Sequence, residues 1–173
     1  MGRGISSIWS PSASGPPRLR IALCRGIGKE TFLPENDTHV ATLVERNTRF
    51  TMLVKIPRKD TTTVVAALAK HISKLPEELR CSLTWDQGKE MHAHKRFTVA
   101  TNVQVYFCDP RSPWQRGSNE NTNGLLRQYL PRGTDFSRIS QSYLNAIALR
   151  LNQRPRKTLG FQTPADRLQA LLH

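Results

Sequence analysis

His39-Val-Ala-Thr-Leu-Val-Glu45 and Phe50-Thr-Met-Leu-Val-Lys-Ile56, separated by Arg46-Asn47-Thr48-Arg49, are two runs rich in β-branched and apolar residues. Such runs suit a pleated, buried surface, and the short polar link between them predicts a β-hairpin. Behind it, Asp60 precedes TTTVVAALAKHISKLP, in which Val64, Val65, Leu68 and Ile72 recur at helical spacing. Asp60 can accept from the free N–H groups of a first turn, and Pro76 cannot continue a helix. The stretch therefore reads as an amphipathic helix lying on a sheet.

Working outward, Ser82–Trp85 and Val103–Phe107 are short strand candidates, with a Lys- and His-rich helical or turn segment, Met91–Ala100, between them. Three helices are expected later, over Ser118–Tyr129, Ser140–Leu151 and Pro164–Leu172; Pro131, Gly133 and Pro155 close the first two. Upstream, Arg20–Cys24 is a weak strand candidate, because Gly26 and Gly28 follow it, and Met1–Arg18 is Ser, Gly and Pro rich without either periodicity. The fold class is mixed α/β with helices gathered late. The expected organisation is a disordered lead-in over 1–37 and one compact unit over 38–173, with no repeat at solenoid spacing.

The 173 residues hold 26 Lys and Arg against 13 Asp and Glu, a net charge of +13, which suits a polyanionic partner. Charge alone does not choose among DNA, RNA and acidic lipid. Cys24, Cys81 and Cys108 are odd in number and form no Cys-x-x-Cys pair, so neither a disulfide framework nor a zinc ribbon is indicated. His92, His94, Cys81 and Cys108 match no standard zinc spacing. No apolar run is long enough to cross a bilayer or to act as a secretory signal, so the expected location is the cytoplasm.

Two carboxylates stand where chemistry tends to be built. Asp86 directly follows the strand candidate SLTW, and the carboxyl end of a strand is a common place for ligand-binding groups. Glu120 falls in the first turn of the helix opening GSNENTNGLLRQYL, where the dipole and free N–H groups favour the ionised form. A turn-forming Asp and a helix-start Glu are the plain structural alternatives. Arg127 lies seven positions after Glu120 (127 − 120), two turns along the same face, so a carboxylate and a guanidinium would share one surface. The intervening loop, DPRSPWQRG (109–117), carries Arg111 and Arg116, which suit phosphates, and Trp114, better read as an anchor than as a stacking platform. Lys95, Arg96, Arg154, Arg156 and Lys157 complete the basic residues suited to gripping the phosphates of a polyanionic partner.

Three stretches, TWDQGKEM (84–91), YFCDPRSPWQRGSNENTNGLLRQYLPRGTDF (106–136) and LNQRPRKTLGFQTPAD (151–166), together with TLVERNTRF (42–50), resemble the IS-thirty family of insertion-sequence transposases. The resemblance runs from about Thr38 to the C-terminus. It implies a ribonuclease-H-like integrase core, a mixed sheet with flanking helices, in which two Asp and one Glu hold two Mg²⁺ (or Mn²⁺) ions for DNA cleavage and strand transfer. Position by position, Asp86 looks like the second Asp, Glu120 like the Glu and metal ligand, and Arg127 like the basic residue that follows it in the family. The spacing of 34 from Asp86 to Glu120 (120 − 86) agrees. The implied partners are the element's terminal inverted repeats and target DNA, in a bacterial cytoplasm at the nucleoid, with no membrane and with a homo-oligomer left open.

The family's first Asp sits in a Gly-Asp-Trp-Glu-Gly-Asp-like segment shortly before the hairpin, and CRGIGKETFLPEND (24–37) contains nothing of that kind. Glu30, Glu35 and Asp37 are the nearby acids, none in the family context. The expectation is therefore an integrase core with a missing or degraded first strand, as a frameshift or misplaced start would produce, and of doubtful activity. Two readings follow: a transposase, intact or residual, and a DNA-binding fragment without catalysis.

Overall fold

The computed structural model describes residues 20–24, 38–58, 60–75, 80, 82–85, 94–107 and 117–172; for 20–24 and 117–120 it gives the backbone course alone. Five strands and five helices follow in the order β1 (Arg20–Cys24), β2 (His39–Glu45), β3 (Thr51–Ile56), α1 (Thr61–Ile72), β4 (Ser82–Trp85), α2 (His94–Thr101), β5 (Gln104–Phe107), α3 (Gly117–Leu126), α4 (Gln141–Asn152) and α5 (Pro164–Leu171). The strands form one sheet in the order β3-β2-β1-β4-β5. The expected hairpin is antiparallel, His39 pairing with Ile56 and Val44 with Thr51. β1 runs antiparallel to β2 and parallel to β4, and β4 runs parallel to β5.

The hairpin link is built around Glu45, which is buried although acidic. Its carboxylate accepts from the backbone N–H of Asn47 and Thr48 and from the Thr48 hydroxyl. Arg49 closes the link at φ 61, donating its N–H to the Glu45 carbonyl. A buried carboxylate is tolerable here because fixed donors replace its water.

Helices cover both faces. On one, α1 and α2 bury Val64, Val65, Leu68, Ile72 and Phe97 against Ala41, Leu43, Val54, Ile56 and Leu83. On the other, Leu126 at the end of α3, Leu130 four residues beyond it and Leu144, Ile147 and Leu151 of α4 close over Val40 and Leu53. Alternation along β2 and β3 sends neighbouring residues to opposite faces, so both strands read as nearly continuous apolar runs. Asp60 caps α1 as expected, accepting from the Thr63 N–H at 2.9 Å.

β3 is an edge strand, and α4 occupies its free edge with side-chain amides. Asn152 Oδ1 accepts from the Thr51 N–H (2.8 Å) while Asn152 Nδ2 donates to the Thr51 carbonyl (2.9 Å). Gln141 Oε1 accepts from the Lys55 N–H (2.8 Å) while Gln141 Nε2 donates to the Leu53 carbonyl (2.7 Å). The two amides lie 11 positions apart (152 − 141), three helical turns, and so share one face. Together they act like a further strand and leave these backbone groups nothing to offer another chain.

One expectation about the N-terminal part changes. Arg20–Cys24 does form a strand, and it sits at the centre of the sheet, so the expected lead-in over 1–37 supplies a central element from residues 20–24. The reason is topological: β2 and β4 do not pair with each other, and a strand must satisfy both inner edges. Among the described residues, no helix is long and apolar enough to cross a membrane.

Candidate nucleic-acid site

The carboxyl ends of the parallel strands β1, β4 and β5 define one end of the sheet. The β1–β4 ladder pairs Ala22 with Thr84, and the β4–β5 ladder pairs Trp85 with Phe107. Asp86 is the next residue in sequence after Trp85 and lies outside the described residues, as do Arg111 and Arg116. Glu120 belongs to the first turn of α3, as expected. α3 packs on β1 and β2, so the turn bearing Glu120 belongs to a helix that lies over the sheet's centre.

α3 is shorter than the sequence pattern suggested, ending at Leu126 rather than near Tyr129. Arg127 therefore lies one residue beyond it, although its N–H still donates to the Asn123 carbonyl at 3.1 Å, one helical turn back. The chain then tightens, Gln128 donating to Leu125 and Tyr129 to Leu126. With a rise of about 1.5 Å per residue, Arg127 stands roughly 10 Å along the axis from Glu120.

The other basic residues fall into two groups. Lys95 and Arg96 are exposed on α2. Arg154, Arg156 and Lys157 lie in the connection after α4, whose helix covers the opposite face of the sheet. Arg154 Nη1 reaches back to Gln128 Oε1 (3.3 Å), which ties that connection to the chain just past α3, next to Arg127. Arg156 Nη2 donates to the Leu151 carbonyl (3.2 Å) at the end of α4, while its Nε is buried without an acceptor. Burial, and then the charge of Arg154, push the Arg156 pKa below its ordinary value. Arg127, Arg154 and Arg156 thus gather at one end of α3, and Lys95 and Arg96 do not join them.

Sequence reasoning passed over three amides: Gln128, which anchors Arg154, and Asn152 and Gln141, which fasten α4 to the backbone of β3. Asn123, one turn after Glu120, has a buried Oδ1 with no donor, and Thr42, paired with Cys24 in the β1–β2 ladder, has a buried hydroxyl with no partner. An Asn or Gln inside an otherwise apolar helical stripe was the available signal.

Among the described residues the carboxylates do not make up a two-metal site, and Asp86 lies outside those residues. Such a site needs an acid able to bridge both ions, beside the strand that Asp86 follows. The neighbouring strand β1 is Arg-Ile-Ala-Leu-Cys and carries none. Glu45 does not fill the place, because it pairs with Ile21 near the start of β1 and its oxygens are taken by the hairpin link. Among the described residues no group of three or more His, Cys, Asp or Glu comes together. His94 instead meets Phe107 edge-on, ring centres 5.4 Å apart.

Residues 28–113 match the family model described as an integrase core domain. The chain is 54% identical over 130 residues to the transposase InsI for insertion sequence element IS30A of Escherichia coli (strain K12), an alignment that covers 75% of this chain and 34% of that protein. It is 52% identical over 137 residues to the transposase for insertion sequence element IS1086 of Cupriavidus metallidurans, covering 79% of this chain and 40% of the relative. The chain thus spans about a third to two-fifths of the length of these relatives. Its structure is similar to the crystal structure of the catalytic core domain of BIV integrase, with a TM-score of 0.62 over 90% of this chain and 96% of that one, at 18% identity. That likeness speaks for the fold, a ribonuclease-H-like core. β1 precedes the stretch matched by the family model, yet it fills the centre of the sheet. By sequence the chain belongs to the integrase-core family, and over about three-quarters of its length it is similar to insertion-sequence transposases of the IS-thirty kind.

Proposed function

We propose that this chain is the catalytic-core part of an insertion-sequence transposase, a unit shaped for cleavage and strand transfer of DNA, which in its present form binds DNA and cleaves it weakly or not at all. The observation that carries the second half is the acid-free β1 lying next to β4. Divalent ions serve the integrase core family in DNA cleavage, but with Asp86 and Glu120 as its acids the chain lacks the bridging ligand. What its own residues do is bind and orient. Arg127, Arg154 and Arg156 at one end of α3 suit the phosphates of a strand that runs toward Glu120, and the net charge of +13 favours encounter with DNA. Lys95 and Arg96, on the other face, suit a different stretch of the same duplex or a second one. The element's terminal repeats and target DNA are the partners that fit the family, with Arg111 and Arg116, which fall between β5 and α3 in sequence, as further phosphate contacts.

Nicking assays on DNA carrying terminal inverted repeats, with Mg²⁺ or Mn²⁺, separate a transposase from a DNA-binding fragment. The expected result is salt-sensitive binding with cleavage near background. Binding indifferent to salt would exclude the DNA reading, since phosphate neutralisation makes affinity fall steeply with ionic strength.

A further inference from the structure

We propose that Phe161 is a base-stacking residue, held out on a basic loop to engage unpaired or distorted DNA. The inference rests on the DNA-binding role argued above and adds to it a residue and a mode of contact.

Phe161 is 72% exposed, on a loop between α4 and α5. Its φ is +66, directly after Gly160 at φ +62. Glycine adopts that region freely, whereas a bulky aromatic residue there is unusual and marks a place where function has been put ahead of local comfort. The ring gains little from burial in this position, so packing does not explain it.

The loop beneath it is closed by its own backbone. Arg156 donates its N–H to the Gln162 carbonyl (3.0 Å), and the Arg156 carbonyl accepts from both Leu159 (2.9 Å) and Phe161 (2.9 Å). Gly160 donates to Lys157 (3.2 Å) and Gln162 to Leu159 (3.2 Å). Leu159 is buried and anchors the underside. The ring is therefore presented by a braced support, which lowers the entropy lost when it meets a flat ligand.

The surroundings select the ligand's charge. Arg154 and Lys157 are exposed, Arg156 is half-buried with an unsatisfied Nε, and among the described residues none of the three makes an ion pair. Cations around an outward aromatic fit a ligand that is anionic along its backbone and flat between charges, which describes a nucleic-acid strand. Bases closed in a regular duplex hide their faces, so the ring must stack on an unpaired base or wedge into an opened step.

The test measures anisotropy of a fluorescein-labelled duplex and of the same duplex with a few unpaired bases, together with 2-aminopurine fluorescence at the unpaired position, using the full chain. The wild type should prefer the DNA with unpaired bases by roughly tenfold, and F161A and F161G should lose that preference while F161W keeps it. Affinity for the fully paired duplex and its salt slope should stay within about twofold, because phosphate contacts are untouched. F161G guards against misfolding, since glycine suits the φ of this position better than phenylalanine. An unchanged preference in F161A overturns the inference alone, as does an effect traced to a changed oligomeric mass. Salt-indifferent binding by the wild type overturns the DNA-binding reading and this inference with it.

Discussion

Replacing Asn152 by alanine removes both hydrogen bonds that fasten the C-terminal end of α4 to the edge strand β3. Thr51 is fully buried and Asn152 is 4% exposed, so water does not easily take over the two orphaned backbone groups. Each buried group left without a partner costs about 1–3 kcal/mol, and some relaxation is open to the end of α4, so a loss of about 2–4 kcal/mol is expected. For a chain of this length each kcal/mol lowers Tm by about 2–4 °C, which gives a fall of roughly 5–15 °C. Asn152→Asp keeps the acceptor for the Thr51 N–H but turns the donor into an oxygen facing the Thr51 carbonyl, and it should be at least as damaging. Thermal unfolding followed by far-UV circular dichroism reads both variants. A Tm for Asn152→Ala within about 1 °C of wild type would refute the idea that α4 completes the sheet edge, because a lost pair of buried hydrogen bonds is too large an effect to hide there.

Gln141→Ala, at the half-buried end of the same face, should cost less, about 1 kcal/mol, and should add to Asn152→Ala in the double variant because the two contacts are three turns apart. Lys157→Ala should lower the slope of log K against log salt by roughly 0.9 with little change in Tm, read by anisotropy across a salt series. Hydrogen bonds from the Thr63 side chain and N–H hold the Asp60 carboxyl below its ordinary pKa of 3.8, so its cap stabilises the fold at and above that pH and the contribution fades as pH falls through the lowered value. Asp60→Asn should therefore flatten the acid limb of a stability-versus-pH curve and leave the neutral region little changed; an identical acid limb would count against the cap.

The sequence announced the sheet and its helices where local signals agreed. The hairpin, the Asp60 cap and the apolar stripe of α1 each rest on neighbours in the chain, and each is present. Placing β1 was harder, because five residues soon followed by two glycines say little alone; the pairing that fixes it comes from β2 and β4, further along the sequence. The early end of α3 likewise reflects the tightening at Gln128 and Tyr129 rather than a Pro or Gly inside the pattern. Of the residues named for the site, the place of Glu120 in a helix's first turn was legible in the sequence, and the basic character of the stretch holding Arg154 and Arg156 from its charge. That Arg154 reaches Gln128, and that Lys95 and Arg96 stand on the other face, depends on which side of the sheet each helix covers, which no local pattern encodes.

The central claim, a DNA-binding integrase core short of one acid, is tested most directly by comparing nicking and strand transfer by the unmodified chain with those by a chain in which the family's first strand, with its Asp, replaces the residues ahead of Thr38. With Mg²⁺ or Mn²⁺ the restored chain should act at least about a thousandfold faster, since losing a metal ligand commonly removes several kcal/mol of transition-state stabilisation. Asp86→Asn or Glu120→Gln should abolish that gain. Robust strand transfer by the unmodified chain, lost on Asp37→Asn or Glu35→Gln, would contradict the account by showing that a third carboxylate is already in place.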